Sequence, residues 1–316
     1  MVSGGKVSAS GLRCQVRNKA TRRRGPRYAV AVPSARIAEP TGMEPFLMRA
    51  RTLSATSQPS GLNDEQIEQF ARSGFLVLPG FLPADLVTRL KPEADRWIDT
   101  GLRALSIASA VDPDTNGVPK VMEFDQPAHG ELLTHRPLLR AIGQLLGPRF
   151  VFHHMHSDRH APDLPGKPWH HDYELVPQSS RTHDMVHALH YLDGIDPKMA
   201  GLVVLPGSHR EPAEKTARAH LGTEVVPGEV FIEELPPGST VLVHSALFHA
   251  RRAKPRRTGR PRYFVDASYC QVGAVWAPAK PYWRETLSRA RRLGLAGPDW
   301  PDLFADEHFG EYVKPE

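Results

Sequence analysis

From Arg149 onward, proline and glycine cut the chain into short apolar runs, and this punctuation limits the fold more than any other feature. Runs at 149–155, 169–175, 185–192, 202–205, 229–234, 240–244 and 263–269 are each of strand length, rich in valine, leucine and aromatic residues, and bounded by turn formers. Short strands at fairly even spacing after a helical start predict a double-sheet β-sandwich or barrel with helices packed outside.

A helical section precedes the strands. Asn63 followed by Gln66 makes a capping box, Ile67, Phe70 and Ala71 recur at helical spacing, and Gly74 ends the segment. The run FLVL at 75–78 reads as a buried strand closed by Pro79 and Gly80. Pro83 opens a second amphipathic helix reaching about residue 102, and PLLRAIGQLL at 137–146 is a third, stopped by Gly147 and Pro148. With no internal repeat, residues 62–316 are expected to form a single domain, mainly β with packed helices.

Charge is unevenly placed. Residues 1–38 hold nine lysines and arginines and no acid, leaving 31 basic and 35 acidic residues elsewhere. The body of the chain is therefore mildly acidic, and its overall basicity is no argument for nucleic acid. Residues 1–61 are expected to be a disordered basic tail or sequence upstream of a start at Met43 or Met48; their arginine- and serine-rich composition also suits an organelle targeting segment. No run approaches the ~18 apolar residues of a membrane span. Cys14 and Cys270 offer neither a disulfide framework nor a CxxC site, so a reducing, cytoplasmic setting is expected.

The chemistry-bearing stretch is PGKPWHHDYELVP, 165–177. Residues two apart on a strand share a face, so His170 and Asp172 project together and His171 projects away. One imidazole and one carboxylate, completed by a distant histidine, form the 2-His-1-carboxylate set of non-haem iron oxygenases; a solvated turn is the alternative. The distant histidine falls in PPGSTVLVHSALFHARR, which contains His244 and His249. Neither HExxH nor a comparable compact zinc motif is present.

Taken in order, FARSGFLVLPGFLP, WHHDYE, HALHYLDGIDPKMAGLVVLPGSHR, and HSALFHARR with RPRYF resemble the phytanoyl-CoA dioxygenase family of Fe(II)/2-oxoglutarate oxygenases, over about residues 62–275. The resemblance implies a double-stranded β-helix (jelly-roll, cupin-like) core and a dioxygenase that decarboxylates 2-oxoglutarate to succinate and CO2 while hydroxylating a small molecule with O2. It implies His170, Asp172 and His249 as catalytic iron ligands, with His244 structural. It also implies Arg262 as anchor of the 2-oxoglutarate carboxylate, with Arg260 as alternate because the spacing from His249 is about two residues longer than usual in the family. The same ligands also serve desaturation, cyclisation, epimerisation and halogenation-like reactions, though Asp172 occupies the place halogenases leave to halide. A non-catalytic metal-binding sandwich is the reading from another class.

Nine of the sixteen histidines lie between 153 and 190. His154, His156, Asp158 and His160 would share one strand face if the strand ran that far, with His154 a candidate 2-oxoglutarate contact; of His187 and His190, at most one can face inward. Seven of the twelve residues from Arg251 to Arg262 are basic, which at the mouth of a site would attract an anionic substrate. Trp276, Tyr282 and Trp283 are expected to pack.

Overall fold

Residues 61–162, 164–175, 177, 181–199, 201–253 and 260–314 are described by a computed structural model of the chain. The expectations for residues 1–60 and for the centre of the basic loop, 254–259, lie outside the described residues.

The capping box forms as the sequence specifies. The Asn63 side chain accepts the Gln66 amide and the Gln66 side chain accepts the Asn63 amide, both at 2.9 Å, and open helix α1 (Asp64–Ser73). Gly74, at φ 79°, turns the chain into strand β1 (Phe75–Leu78). Helix α2 (Ala84–Asp99) ends earlier than expected because Gly101, at φ 80°, sends the chain into a separate helix α3 (Leu102–Val111). Helices α4 (Pro113–Asn116), α5 (Pro127–Leu133) and α6 (Arg136–Leu146) follow, of which only α6 was legible from its apolar stripe.

The remaining strands are β2 (Phe150–His160), β3 (Lys167–His170), β4 (Met185–Tyr191), β5 (Leu202–Val204), β6 (Val230–Ile232), β7 (Ser239–His244), β8 (His249–Arg251) and β9 (Arg262–Gln271), before helix α7 (Trp283–Arg292). They pair antiparallel in a five-stranded sheet ordered β1-β7-β4-β9-β2 and a four-stranded sheet ordered β3-β8-β5-β6. This is the expected jelly-roll core. Two expectations need correction. The metal strand read at 169–175 stops at His170, and β2 runs to His160 because its polar second half pairs with β9 as fully as its apolar first half.

Alternation gives the large sheet two different faces. Val151, Phe152, Val186, Ala188, Leu242 and Tyr269 meet Leu86, Leu90, Leu132, Leu138 and Ile142 of the helices in one core. On the opposite face Phe75, Leu189, Val241 and Val243 meet Leu202, Val204 and Ile232 of the small sheet. Trp276, Tyr282 and Trp283 are buried, as expected of packing residues. At Gly194, φ is 74° and a Cβ would lie 2.0 Å from the Leu235 carbonyl oxygen, so only glycine lets residues 195 and 235 pair. No helix among the described residues is long and apolar enough to cross a membrane.

One buried polar chain ties the helices to the sheet. Glu93 of α2 accepts the amides of Ala128 and His129 at 3.0 Å and the His129 ring at 2.8 Å; the far nitrogen of that ring meets the Ser157 hydroxyl of β2 at 2.9 Å. His129→Ala leaves the Glu93 carboxylate its two backbone amides but opens a cavity and strips the buried Ser157 hydroxyl of its ring partner, so a loss of about 1–3 kcal/mol is expected, read as a lower urea midpoint at unchanged slope. The buried histidines predict acid sensitivity. Burial pushes His153 and His171 down to about 4 and His190 to about 3. The unfolded chain takes up these protons as pH falls through about 6.5 while the native state does not, so the stability present above pH 6.5 is lost as pH approaches 4. His187, raised by Asp266, works in the opposite sense. Urea titrations of the apo-protein from pH 7.5 to 4.5 should show midpoints falling throughout the lower half of that range.

Candidate active site

Strands β3 and β8 pair so that His170 lies directly opposite His249, with ring centroids 4.2 Å apart. Beyond the strand end, the Asp172 amide donates to the Ser245 carbonyl at 2.7 Å and brings its carboxylate back to the pair. The carboxylate oxygens lie 3.7 Å from His170 Nε2 and 3.2 Å from His249 Nε2, and one ligand atom of each of the three residues lies within 4.8 Å of the others.

The backbone sets the chemistry of both rings. His170 Nδ1–H donates to the Pro168 carbonyl at 2.7 Å and His249 Nδ1–H to the Leu247 carbonyl at 3.0 Å, so Nε2 is the ring atom each histidine turns toward the carboxylate. His170 Nε2 is buried and has no hydrogen-bond partner among the described residues. Burial, then the neighbouring His249, pushes His170 down to about 3, keeping it neutral. Burial works against the charge on Asp172, but the His249 hydrogen bond and the fields of His249, His187 and His170 hold it well below the usual carboxylate range. The donor set, two imidazole Nε2 atoms and one carboxylate on one side, fits Fe(II).

The flanking residues alternate away. The Trp169 indole N–H donates to the Glu224 carbonyl at 3.0 Å, and the His171 ring meets the Ala213 carbonyl at 2.9 Å, both side chains being buried. His244 is bound to Asp184 at 3.0 Å and stands apart from the three-residue cluster.

Arg262 opens β9 and is buried. One guanidinium nitrogen lies 2.9 Å from His160 Nδ1, and the group sits 5.5 Å over the Tyr191 ring. Arg260 is exposed, donates to the Asp193 carbonyl at 3.2 Å and lies 3.9 Å from Asp196. Both border a pocket with His160, Leu164, Met199 and Arg251. The register sets His154, His156, Asp158 and His160 on one face of β2, opposite Ser268, Asp266, Phe264 and Arg262. His187, not His190, turns to this side, with Nδ1 3.0 Å from both Asp266 oxygens; His190 bonds Thr240. The sequence reading missed Asp266, whose signal was a lone acid in the otherwise apolar run RYFVDASYC. His154 is turned to Ser268 at 2.9 Å and Asp266 at 4.0 Å.

The phytanoyl-CoA dioxygenase (PhyH) sequence profile matches residues 70–264. No curated protein sequence matches the chain. Among solved structures, HygX from Streptomyces hygroscopicus with nickel and 2-oxoglutarate bound is 21% identical and superposes with a TM-score of 0.51 over 69% of this chain and 90% of its own. EctD from S. alaskensis with bound Fe is 22% identical, with a TM-score of 0.51 over 70% of this chain and 82% of its own. The non-haem α-ketoglutarate-dependent epimerase SnoN from nogalamycin biosynthesis is 17% identical, with a TM-score of 0.50 over 68% and 84%. At these identities the likeness is one of fold, and the profile match, over more than half of the chain, carries the assignment: this chain belongs to the phytanoyl-CoA dioxygenase family.

Proposed function

We propose that the chain is an Fe(II)- and 2-oxoglutarate-dependent hydroxylase of a small molecule. The observation carrying this reading is the convergence of His170, Asp172 and His249 with both Nδ1 atoms held by backbone carbonyls, which leaves three donors for one divalent ion. Bound iron, with O2, supplies the oxidation, in which 2-oxoglutarate is decarboxylated to succinate and CO2 and a substrate C–H bond is hydroxylated.

The chain's own residues do the holding. Arg262 receives the distal carboxylate of the co-substrate in a buried setting, where charge-assisted hydrogen bonds are strong and water competes poorly. His160 and Tyr191 hold the guanidinium in place from two sides. Arg260, exposed and turned to Asp193 and Asp196, meets solvent and is suited to drawing an anionic group toward the mouth. Asp172 fills the carboxylate position that a halogenase would leave to halide, which supports hydroxylation over halogenation. The fold shared with SnoN keeps epimerisation as the second reading.

Mixed anaerobically with Fe(II) and 2-oxoglutarate, the protein should develop the visible charge-transfer band of a chelated keto acid. His170→Ala and Asp172→Ala should abolish it. Arg262→Ala should raise the 2-oxoglutarate concentration needed for half-maximal band by about 10- to 100-fold, the loss of roughly 1.4–2.8 kcal/mol of charge-assisted bonding, whereas Arg260→Ala should leave it within about twofold. Absence of the band in the wild type would sink the reading. Once a substrate is found by screening, a product heavier by one oxygen atom distinguishes hydroxylation from an epimerised product of unchanged mass.

A further inference from the structure

A second group of metal-type ligands lies on the β9 half of the barrel interior. β2 and β9 pair with His154 opposite Ser268 and His156 opposite Asp266, and β4 sets His187 opposite Ser268 from the other side, so three strands deliver these side chains to one face. Asp266 is nearly buried, at 6% exposure. One of its oxygens lies 3.7 Å from His156 Nδ1 and 4.0 Å from His154 Nε2, and one ligand atom from each of the three residues falls within 4.8 Å of the others. These separations are too long for hydrogen bonds. They do match the spacing of donors around one ion, since two ligand atoms each about 2.1 Å from it lie roughly 3.0–4.2 Å apart.

Outer contacts orient the three ligands as they do in metal sites. His154 Nδ1 lies 2.9 Å from the Ser268 hydroxyl and 2.8 Å from His153 Nδ1, which leaves its Nε2 for Asp266. His187 Nδ1 lies 3.0 Å from both carboxylate oxygens and steadies them, while its own Nε2, on a residue 4% exposed, has no hydrogen-bond partner among the described residues. The His156 side chain is 43% exposed, which leaves a route in from solvent.

We propose that His154, His156 and Asp266 bind a second divalent transition-metal ion, with Ser268 and His187 holding the ligands in place. Two imidazoles and one carboxylate suit Zn2+, Co2+ or Ni2+ better than Mg2+ or Ca2+, which prefer all-oxygen sites. With three protein ligands, the ion keeps positions open toward the barrel interior, where an incoming oxygen or nitrogen donor can join it. The site uses none of the three residues of the first cluster, so either can be emptied without removing a ligand of the other.

The test is metal stoichiometry on the full chain, stripped of metal and dialysed to equilibrium against Co2+. Wild type should take up two ions per chain. His156→Gln and Asp266→Asn should each take up one, with the second binding constant weakened more than tenfold; His170→Ala should also take up one, and His156→Gln combined with His170→Ala none. Because Asp266→Asn removes a buried charge and can unfold the barrel, His156→Gln, at a half-exposed side chain, is the deciding variant, with circular dichroism verifying its fold. One ion in the wild type, bound through His170, would overturn the proposal and leave the cluster a hydrogen-bonding wall. A second ion that survives His156→Gln but is lost in His308→Ala would also overturn it, assigning that ion to the Asp302, Glu307 and His308 cluster.

Discussion

The antiparallel pairing of β3 with β8 is the constraint on which the candidate active centre depends. It sets His170 opposite His249, two residues that the chain separates by 79 positions, and a hydrogen bond from the Asp172 amide to the Ser245 carbonyl completes the group. Each ring is then held through Nδ1 by a carbonyl two residues before it, so a ligand-ready tautomer follows from local backbone geometry. A one-residue slip in this pairing would turn one imidazole to the opposite face. The small sheet is anchored against such a slip by Trp169 and Phe248, buried together with Val203 and Ala250 on the side away from the site.

The barrel interior is divided along its width. Toward β1 and β7 it is lined by Phe75, Val77, Val241 and Val243 and closes as an ordinary apolar core. Toward β9 and β2 it is lined by His154, His156, His160, His187, Arg262 and Asp266, groups that are costly to bury unless each finds a partner. The cost is visible in the protonation of the wall. Burial drives His154 well below its ordinary range, while the carboxylate of Asp266, itself opposed by burial, is kept ionised by His187. A fold that needed only stability would fill this half with valine and leucine as it does the other. Its polar groups are held in place by the helices.

Those helices pack on the outer face of the large sheet, and the strand that most needs support is β2, at its edge. Glu123 and His129 grip it at Ser157 from the helical layer, the Glu123 carboxylate accepting the Ser157 amide at 2.5 Å and the His129 ring reaching its hydroxyl at 2.9 Å. Arg159 pairs with Asp95 and Asp99 of α2, and Arg103 of α3 with Asp158. Covering and pinning an edge strand in this way both removes a pairing hazard and fixes the polar residues it presents to the cavity.

The sequence alone determined the elements whose signals are local: the capping box at Asn63, the apolar stripe of α6, the strands of β-branched residues, and the His170–Asp172 pair with His171 turned away. The order of quoted motifs was enough to name the family. What tertiary structure decided are the properties that depend on residues distant in the chain. His249, which the family resemblance already favoured over His244, is set beside Asp172 by sheet register, while His244 is taken by Asp184. The burial of Arg262 and exposure of Arg260 follow from where β9 begins, not from either residue's type. The polar extension of β2, which the sequence left open, was decided by its partner: alternation there sets histidine against arginine and serine, a pattern equally suited to a loop until a strand with Asp266 and Ser268 stands beside it. Local propensity and periodicity are carried by neighbours in sequence; convergence on a metal or a carboxylate is carried by strand pairing, and only the folded sheet specifies it.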